Sequence, residues 1–339
     1  SNTTANYNNA IGAFTLRDNT TGKQNTALGH GALLANTTAD NNTAIGFNAL
    51  ISNTTGGDNT AVGKGALDSN TTASANTAIG SGAMGATTTG NQNTAVGSGS
   101  LGSNTNGSEN TVVGYNALDA NTSGGSNVAV GKQALTASST GSYLTAVGTN
   151  ALAANTTASN NDAFGYNAMA SNTTGSSNTA LGGYTLDANT TGSNNTAVGI
   201  YALTSNTTGQ RNTAVGRVSL ENNTEGSDNV AVGKDALEAN TTASNNVAVG
   251  SLALTSNTTG TRNIAIGYAA ADACTDGAND NVAIGVDALG ANTTGDYNVI
   301  IGNYAHSASD GNGYNVAVGH QALQANQTSD NIGIGYLAG

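Results

Sequence analysis

The sequence predicts an all-β chain, a parallel β-solenoid (β-roll) of about twenty 17-residue coils, uncapped at both ends. Three observations predict it: a glycine that recurs every 17 residues, short apolar pieces bounded by Asn, Gly and Thr, and a composition that suits neither helix nor disorder. Internal periodicity comes first, because it decides the architecture. The glycines run Gly12, Gly29, Gly46, Gly63, Gly80 and onward to Gly267 at intervals of 17, then Gly285, Gly302, Gly319 and Gly335 at intervals of 18, 17, 17 and 16. Chance does not produce such a series.

With that glycine as position five, the unit reads N-T-A-V-G-x-x-A-L-x-x-N-T-T-G-x-x. Position one is Asn in 19 of 20 units, with Leu144 the exception, and position nine is Leu or Met in 17 of 20. Helix is disfavoured by the two or three glycines and the Thr/Asn-rich stretch that most units carry. T-A-V-G and x-A-L-x read as short strands, and Asn and Gly tolerate the left-handed backbone of tight corners. One coil per unit follows. Coils stacked at strand spacing, roughly 4.8 Å, make a rod of roughly 95 Å.

Stacking sets like residues above one another. The asparagines at positions one and twelve (Asn42, Asn53, Asn59, Asn70, Asn195 and Asn206) read as two corner ladders that hydrogen-bond along the axis, and Gly46, Gly63 and Gly199 as the fixed glycine column. Alternation along a strand sets positions two and four opposite to three and five. Position four is always bulky and is expected to fill the interior. Position three is Ala in 17 of 20 units and is expected to form a flat outer ladder that packs against another rod. A lone coil buries too little apolar surface to offset the cost of ordering 17 residues, so coils stabilise one another.

Residues 1–339 read as a single array, irregular over 263–314, where Ala271, Cys274, His306 and Ser309 replace consensus residues. Residues 1–7 fill positions eleven to seventeen and the last nine fill positions one to nine, so further repeats or head-to-tail stacking of subunits is expected.

Composition narrows function. There are 47 glycines, no Pro, no Trp, 8% charged residues and a net charge of −12. Disordered chains usually carry proline and high charge. Nucleic-acid binding needs clustered Lys and Arg, and eight basic residues spread over the chain form no cluster. One cysteine excludes a disulfide framework and a cysteine-based zinc site; Cys274 stands where Asn is expected and reads as a buried, inert thiol. No apolar run is long enough to span a membrane.

Catalytic chemistry finds little here. His30, His306 and His320 are ungrouped, and neighbouring coils supply no nucleophile–base set. Gly63-Lys64, Gly131-Lys132 and Gly233-Lys234 do not match a phosphate loop, and the acidic residues form no calcium ladder. No enzyme activity, metal or cofactor is expected. The tripeptides Asn36-Thr-Thr, Asn121-Thr-Ser and Asn257-Thr-Thr are formal glycosylation acceptors that turn chemistry explains equally well.

Thr37-Thr38, Thr54-Thr55 and Thr207-Thr208 stack into columns of the kind that bind ice, interrupted at position fourteen by Asn106, Glu225, Asp276 and Gly311. All eleven tyrosines occupy position six, seven or seventeen. Tyr115, Tyr166, Tyr184, Tyr201, Tyr268 and Tyr304 are the candidates for stacking on sugar rings.

Asn281-Val-Ala-Ile-Gly285, with Asn229-Val-Ala-Val-Gly233 and Asn246-Val-Ala-Val-Gly250, resembles the N-[ST]-V-A-I-G core of YadA-like heads of trimeric autotransporter adhesins. The longer unit is similar to shaft repeats of phage tail fibres. The resemblance covers essentially the whole chain and implies a parallel β-roll, three chains side by side, and adhesion or host contact. Each unit is longer than the adhesin coil. The expected function is an extracellular structural fibre or filament: a phage tail fibre, an adhesin shaft or a self-assembled surface filament. The alternative is a solenoid surface that binds a ligand, either a cell-surface glycan or ice.

Overall fold

The computed structural model describes residues 4–275, 277–308 and 310–339. Asp276 and Ser309, expected as interruptions of the pattern, lie outside the described residues, as does the start of the N-terminal partial unit. The described chain is all-β and forms a β-solenoid whose strands are parallel and lie 16 to 18 residues apart. Its compact units are residues 1–174 and 175–339. The first carries β1 (Asn9–Ile11) through β10 (Asp162–Phe164), and the second carries β11 (Thr179–Leu181) through β20 (Ile332–Ile334). We number coils by their strands, so coil 3 runs from Asn42 to Asp58.

Register follows the repeat. Thr43, Ala44 and Ile45 pair with Thr60, Ala61 and Val62. In the second unit Val230, Ala231 and Val232 pair with Val247, Ala248 and Val249. Each strand is three residues long, and the rest of the coil is turn. Backbone N–H and C=O groups continue the ladder through those turns: the Leu33 amide donates to the Ala49 carbonyl at 3.1 Å and the Thr37 amide to the Thr54 carbonyl at 3.1 Å. The turn backbone is therefore hydrogen-bonded to the next coil, as buried backbone must be.

Most coils turn through positive φ at four residues. Gly46 has φ 138°, and a Cβ there would sit 2.5 Å from the Gly63 carbonyl oxygen, so both conformation and closeness demand glycine. The other three, at positions seven, nine and seventeen, are mostly not glycine: Asn48 at 57°, Leu50 at 51° and Asp58 at 58°. Leucine in this region is strained by roughly 1–2 kcal/mol. It is retained because the turn throws the side chain into the core, where Leu50 is fully buried.

The interior reverses one expectation. Position three faces inward: Ala44, Ala61 and Ala78 are completely buried, whereas Ile45 and Ile79 at position four are 36% and 40% exposed. The parity of the strand explains it. The carboxamide of position one is inside, so position three is inside with it, and positions two and four face out. The commonest coil thus fills its core with two Ala, one Leu and two Asn, plus the small residue at position fifteen. The bulky aliphatic row lies on the surface, and the position-three alanine ladder runs inside.

Candidate functional site

The chemistry most repeated in this molecule is the buried asparagine system, and it is more than two corner ladders. In column one, the Asn59 amide N–H donates to Asn42 Oδ1 at 3.0 Å, and the Asn42 amide N–H in turn donates to Asn25 Oδ1 at 3.0 Å. In column twelve, Asn53 Nδ2 donates to Asn36 Oδ1 at 3.1 Å and Asn70 Nδ2 to Asn53 Oδ1 at 2.8 Å. The two columns meet at one acceptor. The Gly56 carbonyl accepts from Asn42 Nδ2 at 3.0 Å and from Asn53 Nδ2 at 2.9 Å. The second unit repeats this, with the Gly209 carbonyl held by Asn195 at 2.9 Å and Asn206 at 3.1 Å. Within each unit these side chains clamp coil to coil alongside the backbone.

Breaks in column twelve show what Asn does there. Thr87 follows Asn70 and Cys274 follows Asn257, and Asn70 Oδ1 and Asn257 Oδ1 are left without a hydrogen bond. Ser138, also in this column, has an unpaired hydroxyl. Cys274 is buried and free; burial pushes its thiol up to about 12, and Asn292 Nδ2 donates to its Sγ at 3.6 Å. His306 occupies position nine in place of Leu and is fully buried. Neither ring nitrogen finds a partner among the described residues, and burial holds its pKa below the usual histidine value.

The amides of Asn36, Asn121 and Asn257 are inside the solenoid, so these tripeptides are closed to glycosylation in the folded chain. The threonine columns are likewise committed. At position thirteen, Thr37 Oγ1 donates to the Thr54 carbonyl at 3.1 Å and Thr207 Oγ1 to the Thr224 carbonyl at 3.0 Å. Position fourteen, with Thr38, Thr55 and Thr208, is exposed.

Of the tyrosine candidates, the structure brings together Tyr184 and Tyr201, whose rings stack at 5.5 Å. Each thereby gives a face to its neighbour that a sugar would need. Tyr304 packs edge-on against His320 at 5.9 Å, and His320 stacks on Tyr336 at 5.7 Å. His30 sits likewise between Phe14 and Phe47 at 5.4 and 5.3 Å. Tyr115, Tyr166 and Tyr268 are about half exposed and stand three or more coils apart. Among the described residues no group of three His, Cys, Asp or Glu is placed to hold a metal, and no helix is long and apolar enough to cross a membrane.

Sequence reasoning missed the outward sheet face. Along it, position four is aliphatic in every coil but coil 10, which has Phe164. Position two changes along the chain. It is Thr without interruption from β2 (Thr26–Leu28) to β7 (Thr111–Val113), and Val or Ile without interruption from β14 (Val230–Val232) to β20. The signal was available, because position two varies freely while position one does not.

No protein family matches this chain by sequence, and no curated protein does either.

Proposed function

We propose that the protein is a non-catalytic structural element, a rigid repeat shaft of a fibre at a cell or virion surface, whose copies associate side by side. The supporting observation is the outward face of β14–β20. It carries two aliphatic side chains on each of seven strands, from Val230 and Val232 to Ile332 and Ile334. Ile264, Ile266, Val299 and Ile301 are 37–39% exposed. Seven strands at about 4.8 Å make a strip about 30 Å long, and extended contiguous apolar surface is characteristic of interaction sites.

A second copy of this chain is the occupant that fits. Its own strip has ridges at the same axial spacing, so the two interdigitate along their length. Each copy carries a net charge of −12 and none of it lies on the strip, which makes this the approach with least repulsion. The resemblance of Asn281-Val-Ala-Ile-Gly285 to adhesin head repeats supports the same reading, as well as the extracellular setting.

Sedimentation velocity on the full chain tests it. The expected result is a species heavier than the monomer, converted to monomer by Val247→Lys with Val282→Lys while the β-sheet circular dichroism is unchanged. A wild-type monomer at every concentration, or a Lys variant of unchanged mass, overturns the reading.

A further inference from the structure

The face of β2–β7 has a different chemistry from that of β14–β20. Its two columns are Thr26, Thr43, Thr60, Thr77, Thr94 and Thr111, and beside them Leu28, Ile45, Val62, Ile79, Val96 and Val113. All twelve side chains are half-buried or exposed. Unlike the position-thirteen hydroxyls, those of this threonine column make no hydrogen bond within the described protein. They are donors and acceptors with no protein partner on a half-buried face, exposed at Thr111.

Three properties of this array select its ligand. Threonine is β-branched and stiff at χ1, and the coils beneath are clamped by the Asn system, so hydroxyls and methyls keep fixed positions. They repeat about 4.8 Å along the axis, and the two columns are two residues, about 6.7 Å, apart. These distances are close to the spacings of oxygen rows in the ice lattice. No charge lies in either column, although the chain is acidic; Asp58, Lys64 and Glu109 stand on the corners beside it. A neutral, regularly spaced surface of hydroxyls and methyls complements a neutral hydrogen-bonding solid. It is a poor match for an ion, which is bound by clustered charge.

We infer that the sheet face of coils 2–7 binds ice: the threonine hydroxyls join rows of lattice water, and the aliphatic column with the threonine methyls holds the intervening water in cages. This site is distinct from the Thr-Thr columns at positions thirteen and fourteen, and it lies on other coils than the proposed self-association strip.

Thermal hysteresis and inhibition of ice recrystallisation, measured on the full chain, test the inference. Wild-type protein is expected to show both. Thr60→Lys with Thr77→Lys is expected to lose most of the activity. Thr72→Lys at exposed position fourteen keeps it, as does Val247→Lys with Val282→Lys, which separates this site from the self-association strip. Circular dichroism confirms the fold of each variant. An inactive, folded wild type overturns the inference. So does activity that survives the threonine substitutions, or activity lost equally in Thr72→Lys.

Discussion

Coils 2–7 and coils 14–20 are built on one interior and diverge elsewhere. In both, buried Asn, Ala and Leu columns repeat. In the first region, position seven, which must adopt positive φ, is Gly31, Asn48, Gly65, Gly82, Gly99 and Asn116, the residue types that take that conformation with least strain. In the second, it is Asp235, Leu252, Ala269, Asp287, Tyr304, Gln321 and Leu337. The second region also places Cys274 and His306 in core columns. Local preference and global fold agree in coils 2–7 and conflict in coils 14–20, where the outward face is fully aliphatic. A solenoid tolerates this because each coil leans only on its neighbours.

The largest expected effect breaks what the regions share. Asn59→Ala deletes the acceptor for the Asn76 amide, at 3.0 Å, and the donor to the Ala73 carbonyl, at 2.9 Å. The Ala73 carbonyl keeps Asn70 Nδ2 at 3.1 Å, so the buried Asn76 amide is the group left unpaired, at roughly 1–3 kcal/mol. With a further lost hydrogen bond of roughly 1 kcal/mol, a loss of about 2–4 kcal/mol is expected in denaturant unfolding.

Next comes the second region's own flaw. His306→Leu restores the column between Leu289 and Leu323 and removes two unpaired ring nitrogens, stabilising the chain by about 2 kcal/mol. It also removes a pH dependence. Burial depresses the folded-state pKa of His306, so below the unfolded value of about 6.5 the unfolded state binds more protons. Wild-type stability therefore falls as pH drops below that value and on towards the folded pKa. The variant's pH profile, followed by thermal melting from pH 8 to pH 4, should lack that component.

Repairing column twelve is worth less. Cys274→Asn supplies a donor to the unpaired Asn257 Oδ1, and Thr87→Asn does the same for Asn70 in the first region; each is expected to stabilise by about 1–2 kcal/mol in urea titration. Smallest is Leu252→Asn. It brings position seven of coil 15 to the residue type found at Asn48 and Asn116, for a gain of about 0.5–1 kcal/mol.

The coil, its length and its parallel stacking were legible because a period of 17 survives every substitution. The inside and outside of the strand were not, because Ala and Val are both apolar and size alone assigned the larger to the core. The deciding signal was polar. Asn at position one is nearly invariant while position two accepts Thr, Val, Asp and Ile, and strand parity then places Ala44 inside and Ile45 outside. The hydroxyls of Thr37 and Thr43 look equivalent in sequence. Only the turn geometry, which aims the first at the Thr54 carbonyl, tells them apart.

The inside–outside assignment is tested most directly at Val112 and Val113, adjacent residues of one type, 0% and 39% exposed. Val112→Cys and Val113→Cys can be compared by native-state labelling with a polar maleimide, since Cys274 is buried. The account predicts that the thiol at position 113 reacts at once and the one at 112 only on unfolding. Rapid labelling at 112 with protection at 113 would contradict it.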